Sequence, residues 1–167
     1  MNNLTKGANA FLANCGIIHV NVSWNAQKAN PEVACFAVMA NGRVLTDKWF
    51  LFYNQPHSPE SAIHFLRQPD SNQAKFVINL DKLPADIQKC VFTASLDKGG
   101  FREVADAVIT ASPTVGEGLT FKIDGASDQQ TLIFAEIYRR NSTWKMRAIG
   151  QGFKGGLKSL AEHHGVV

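Results

Sequence analysis

No apolar run in the 167 residues approaches the length of about 20 that a membrane-spanning helix requires. The N-terminal stretch Met1 to Asn9 is polar and lacks the apolar centre of a secretory signal, so a cytoplasmic location is expected. Cysteine is scarce. Cys15, Cys35 and Cys90 cannot all pair within one chain and show no metal-finger spacing, and Cys35 and Cys90 lie in apolar stretches that read as buried strands. Free buried thiols are the expectation. Charged residues make up only 19% of the chain, and a net charge of +3 selects no class of partner. Catalytic signatures are also missing. There is no Gly-x-Ser-x-Gly nucleophile elbow and no His-Glu-x-x-His zinc pair, and the fourteen acids are too dispersed to suggest paired carboxylates. His163 and His164 are adjacent and point to different sides of the chain, which makes them a poor shared ligand pair. The residues therefore point to a protein that is not an enzyme.

A substantial core is present instead, with 45% hydrophobic residues in a chain of single-domain length. Ile18, Val20, Val22 and Trp24 alternate with polar neighbours, as in a half-buried strand. Leu4 to Leu12 suggests an edge strand. Val33 to Met39 is continuously apolar and short enough for a strand buried on both faces. Asn41-Gly42 is a hairpin signal that leads into a second strand over Trp49 to Tyr53. Asn54 to Ala74, with three prolines and two histidines, shows no clear period and reads as a long irregular segment. Strand character returns over Phe76–Leu80, Cys90–Leu96, Ala107–Ala111, Leu119–Ile123 and Thr131–Arg139. Helical turns are expected near Pro84 and over Phe101 to Asp106.

The C-terminal stretch is the most strongly patterned. Trp144, Met146 and Ala148 share one face of a strand, Lys145 and Arg147 the other. Gly150, Gly152, Gly155 and Gly156 follow, then a short helix from Leu157 with Gly165 at its C-cap position. Gly150-x-Gly152-x-x-Gly155 matches a dinucleotide fingerprint, but that motif needs a second parallel strand and an acid about 20 residues further on, which the sequence does not supply. Glycines for tight backbone packing are the better reading. Arg139, Arg140, Lys145, Arg147, Lys154 and Lys158 form a basic stretch with no acid between Tyr138 and Ala161. It suits a phosphate-contacting surface or a solvated sheet edge, and the second is favoured. Taken together, the elements predict a single all-β domain over residues 1–167. It is an antiparallel β-sandwich of about nine or ten strands with a short C-terminal helix.

Loop oxygens that could surround a cation are few: Asn30, Glu32, Asp70 and Asp97. Their meaning changes with a resemblance. Phe134-Ala-Glu-Ile-Tyr-Arg139, Trp144-Lys-Met-Arg-Ala-Ile-Gly-Gln-Gly152 and Gly155-Gly-Leu157 resemble the C-terminal signature of the TerD family of tellurium-resistance and stress proteins. Leu4-Thr-Lys-Gly7, Asn41-Gly-Arg-Val44, Phe50-Leu-Phe-Tyr-Asn54 and Asn79 to Lys89 extend the likeness nearly end to end. The resemblance implies a β-sandwich, a cytoplasmic stress-response role and, in typical members, calcium held by acidic loops.

This chain departs from the family at those loops. Where typical members carry alternating aspartates, it has Lys28, Asn30 and Glu32. After His64, where they carry a Gly/Asp-rich loop, it has a shorter segment that keeps only Asp70, followed by Lys75. Asp97 survives. One or two carboxylates beside Lys28, Arg67 and Lys75 compensate a divalent cation poorly. The expectation is a non-enzymatic stress- or tellurite-resistance module with a binding or scaffold role. Its metal positions Asn30, Glu32, Asp70 and Asp97 form a degenerate site and no cofactor is expected. Other stress-resistance proteins are its candidate partners. Two alternatives stay open: a weak calcium site on the same residues, and a phosphate-ligand or nucleic-acid surface on the basic C-terminal hairpin.

Overall fold

The computed structural model describes residues 1–25, 30–68, 71–123 and 128–167. Along the chain run β1 (Asn2–Leu4), β2 (Asn9–Ala13), β3 (Ile17–Asn25), β4 (Glu32–Val38), β5 (Phe50–Leu51), β6 (Ile63–Leu66), β7 (Gln73–Asn79), β8 (Lys89–Ser95), β9 (Ala105–Pro113), β10 (Leu119–Lys122), β11 (Thr131–Arg140) and β12 (Thr143–Phe153), followed by α1 (Leu157–His163). They form two six-stranded sheets, ordered β1-β10-β9-β3-β7-β6 and β2-β12-β11-β8-β4-β5. Phe76 of the first sheet meets Phe92 of the second with ring centroids 5.4 Å apart, so the sheets pack face to face.

Among the described residues there are twelve strands, not nine or ten, and one pair, β1 with β10, is parallel. The N-terminal segment is not one edge strand but two. A turn closed by the Ala8 N–H on the Thr5 carbonyl (2.9 Å) sends β1 to one sheet and β2 to the edge of the other. The segment read as irregular contains β6, which pairs antiparallel with β7. The expected second strand shrinks to β5, because Trp49 ends a one-turn 3-10 helix over Asp47–Trp49 and the Gln55 amide donates to the carbonyls of Asp47 and Phe50. A turn does form at Asn41-Gly42, with Gly42 at φ +85° and its N–H on the Met39 carbonyl (2.9 Å). The turn at Pro84 is closed by the Ile87 N–H, while the regular 3-10 turn lies just before it at Leu80–Lys82. Phe101–Glu103 is the other expected helical turn.

Alternation in β3 and β12 is as read: Ile18, Val20, Val22 and Trp24 are buried, as are Trp144, Met146 and Ala148. The outer faces of β4 and β8 are buried as well, and the residues on either side of α1 lie against this sheet. The approach of α1 is fixed by Thr131 Oγ1 donating to the Gly155 carbonyl (2.7 Å), and its end by the His164 ring on Phe36 and the Val44 N–H on the His164 carbonyl (2.8 Å). Burial of both faces explains why β4 is continuously apolar rather than alternating. Cys35 and Cys90 are buried free thiols, whereas Cys15 is exposed. No helix among the described residues is long and apolar enough to cross a membrane.

Candidate functional site

Three chain segments meet at one end of the sandwich. Glu32 opens β4 opposite Ser95, the last residue of β8, which puts Glu32 near the Leu96-Asp97 exit. Trp24 near the end of β3 is tied to the start of β7 by its N–H on the Asn72 carbonyl (3.0 Å). Arg67 follows directly on β6. Asn30, Glu32, Tyr53, Pro56, Phe65 and Arg67 line a pocket of about 360 Å³ between them.

Arg67 organises this pocket. Its Nη1 donates to the Pro31 carbonyl at 2.7 Å, and its Nη2 donates to Asn30 Oδ1 and, at 3.3 Å, to the Ser71 carbonyl. The guanidinium lies 4.9 Å from the centroid of the Trp24 ring, a cation–π distance. Glu32 is partly buried. Burial pushes its carboxyl above the usual carboxylate range, the Arg67 charge opposes that shift, and the charge of Asp97 adds to it. Asp97 itself is exposed.

Asn30 and Glu32 line one pocket, and Asp97 is near enough to act on Glu32 electrostatically. Asp70 and Lys28 fall outside the described residues. Calcium requires six to eight oxygens at about 2.3–2.6 Å. Here the Asn30 and Pro31 oxygens already receive the Arg67 guanidinium. A dication about 5 Å from that charge would be repelled by roughly 7 kcal/mol at an effective dielectric of about 20. Among the described residues, no three His, Cys, Asp or Glu side chains gather to hold a metal ion. Of the four expected positions, the described residues bring only Asn30 and Glu32 to this pocket, with Asp97 nearby, and Asn30 is already engaged by a cation. Arg67 was legible in the sequence only as a nearby positive charge; that it reaches two loops at once was not.

Two basic residues of the C-terminal hairpin, Arg139 and Arg147, are engaged with their own protein. Arg139 donates to the carbonyls of Pro84 (3.3 Å) and Ile87 (3.2 Å) and stacks over Trp144. Arg147 and Lys89 flank the buried Glu136 at 3.6 and 3.7 Å. Gly150 lies within β12, which pairs antiparallel with both neighbours, so no βαβ unit exists there to seat a dinucleotide. His163 and His164 turn to different partners, Phe153 and Phe36. His64 stacks on His57 with centroids 4.1 Å apart. One feature had no sequence signal beyond scattered apolar residues: a cavity of about 900 Å³ at the β2 edge, with exposed Phe11, Ile17 and Val115 around it.

The TerD domain matches residues 1–164. The chain is 26% identical to the tellurium resistance protein TerD of Serratia marcescens, covering 98% of this chain and 96% of that protein. It is 25% identical to general stress protein 16U of Bacillus subtilis, covering 88% and 86%. The crystal structure of a homologue of telluride resistance protein TerD from Streptomyces coelicolor superimposes with a TM-score of 0.72 at 17% identity, over 92% of this chain and 99% of that one. The sandwich, its glycine-bearing last strand and this match across almost every residue together place the chain in the TerD domain family.

Proposed function

We propose that this protein is a non-enzymatic stress-resistance module, acting against tellurite or more general chemical stress as a binding or scaffold protein whose loop site holds no calcium. The named roles of relatives similar over nearly the full chain support the stress assignment. The loop geometry supports the second part, and one observation carries it: the oxygens of Asn30 and Pro31 converge on the side chain of Arg67. Two of the oxygens that a metal ion could recruit thus already accept from a cation, beside a Glu32 carboxyl that burial disfavours as an anion. The alignment with the Serratia protein spans 185 positions, more than this chain contains, so that relative carries residues with no counterpart here.

Two measurements test the proposal. Deleting the gene should sensitise its host to tellurite or to oxidative stress, and the wild-type copy should restore resistance. Unchanged survival across a panel of stresses would end the stress assignment. Calorimetric titration of the purified protein with calcium should show no saturable heat in the micromolar range, and a clear binding isotherm would overturn the reading of the site.

A further inference from the structure

Described acceptors of Arg67 come from two different chain segments. Pro31 and Asn30 lie 36 and 37 residues away in sequence, before β4, while Ser71 lies four residues on, before β7. Holding together segments so distant in sequence has an entropic cost. A multivalent oxygen-seeking cation is the usual means of drawing backbone carbonyls and an amide oxygen to one point. A guanidinium can do the same, because its planar fork carries five donors and keeps its charge at any physiological pH. Lysine would supply the charge without the fork. The face of Trp24 holds the guanidinium from a further direction.

We propose that Arg67 is a resident cation standing where a metal ion would be, fastening Asn30 and Pro31 ahead of β4 to Ser71 ahead of β7 independently of calcium. The inference rests on the reading of the loop site as one without calcium, and adds to it the agent and the regulatory consequence. A metal-held loop cluster opens when the metal is withdrawn. A guanidinium-held cluster ignores chelators and responds instead to salt and to substitution of the arginine.

Thermal melts of the full chain test this, in excess calcium and in chelator, with tryptophan fluorescence alongside because Trp24 reports on the site. Wild-type midpoints should coincide in the two conditions. Arg67→Gln should lower the midpoint by roughly 4–8 °C and alter the fluorescence, and Arg67→Lys should recover only part of the loss. Asn30→Asp keeps the guanidinium and adds a carboxylate where an amide oxygen now accepts from it, so its midpoint should rise at low salt, fall back as salt is added, and ignore calcium. The double variant Asn30→Asp/Arg67→Gln, with a carboxylate gained and the cation removed, should gain a calcium-dependent rise. A wild-type midpoint raised by calcium would sink the calcium-free reading itself. A flat wild type with Arg67→Gln indistinguishable from it would sink the Arg67 inference alone. A calcium response in Asn30→Asp, or none in the double variant, would also count against Arg67 as the occupant. Asn30→Asp keeps the test decisive should Arg67→Gln fail to fold.

Discussion

The imidazole of His164 lies on the ring of Phe36, centroids 4.6 Å apart, and its Nδ1 is 2.9 Å from the Gly42 carbonyl. That distance assigns the Nδ1 proton to the Gly42 oxygen. The other nitrogen, Nε2, is buried and has no partner among the described residues. Burial first, and then the charges of His163 and Lys89, lower the tendency of His164 to protonate, against an opposing contribution from the Gly42 hydrogen bond. His64 is also shifted down, by burial and by the neighbouring His57. Both groups bind protons more weakly in the native state than in the unfolded chain. Stability therefore rises with pH through the window below the ordinary histidine value of about 6.5, and is lost on acidification through it. Melting midpoints should fall between pH 7.5 and 5.5. His164→Asn, which keeps a donor for Gly42 but cannot titrate, should flatten part of that slope, and His64→Asn another part. A wild-type midpoint constant over this range would contradict the assignment.

Glu32 carries the opposite sign. Burial raises its carboxyl above the usual range, so the folded protein holds that proton more tightly than the unfolded chain does. Its ionisation weakens the fold as pH rises beyond about 4.3, and the penalty is fully present at neutral pH. Glu32→Gln should be at least as stable as wild type at pH 7, with any advantage disappearing on acidification to pH about 4. Urea midpoints across this range would show it. A marked loss of stability in Glu32→Gln at pH 7 would mean that the carboxylate makes a favourable contact the geometry does not reveal.

Glu136 is 9% exposed and sits between Lys89 and Arg147 on the outer face of the second sheet. Arg147 also lies over the Tyr138 ring at 5.0 Å. Truncating the acid leaves two cations facing one another across partly buried strands. Both cations reach solvent, which reduces the effect relative to a fully buried pair. Glu136→Ala should cost about 1–2 kcal/mol in chemical denaturation, and Arg147→Ala less, since Lys89 still neutralises the acid. A smaller loss for Glu136→Ala than for Arg147→Ala would reverse this ranking.

Much of this architecture was legible in local pattern. The alternations of β3 and β12, and the unbroken apolar run that became β4, express burial that each segment states for itself. β6 was not legible. Ile63 and Phe65 are buried and His64 is not, but the run is four residues long and follows two prolines, and only pairing with β7 makes it a strand. The same limit hid the role of Arg67. Its charge can be read from the sequence, and so can the shortage of acids around it. Which carbonyls it reaches depends on where β4, β6 and β7 end in space, and no local pattern encodes that. Cys15 shows the converse. The sequence groups it with the buried thiols, yet it lies in the short turn between β2 and β3 and is exposed.

The three thiols should therefore divide cleanly. Cys35 is fully buried, and burial followed by a hydrogen bond with Cys90 raises its thiol well above the ordinary range, which suppresses the reactive thiolate. A chromogenic disulfide reagent should modify one thiol per chain in the native protein and all three after denaturation. Cys15→Ser should abolish the native reaction. Native modification of Cys35 or Cys90 would mean that the sandwich opens far more readily than its packing implies.

Gly150 offers the sharpest test of what the C-terminal glycines are for. β12 carries one extra residue against β11 between the pairs Ile133–Gln151 and Ala135–Ala148, a bulge formed by Ile149 and Gly150. Gly150 takes φ +64°, and a Cβ there would stand 3.1 Å from the Phe121 ring of the opposite sheet. Alanine at this position is strained by backbone conformation and crowded by an aromatic ring at once. Gly150→Ala should cost about 1–2 kcal/mol, lowering the melting midpoint by roughly 2–8 °C. Gly7, at φ +85° with open space around its Cβ direction, meets only the conformational part, so Gly7→Ala should cost less. If the glycines served a nucleotide instead, adding one would raise the wild-type midpoint and Gly150→Ala would abolish the rise. The bulge requires equal midpoints with and without nucleotide, and a deficit in Gly150→Ala that no nucleotide changes.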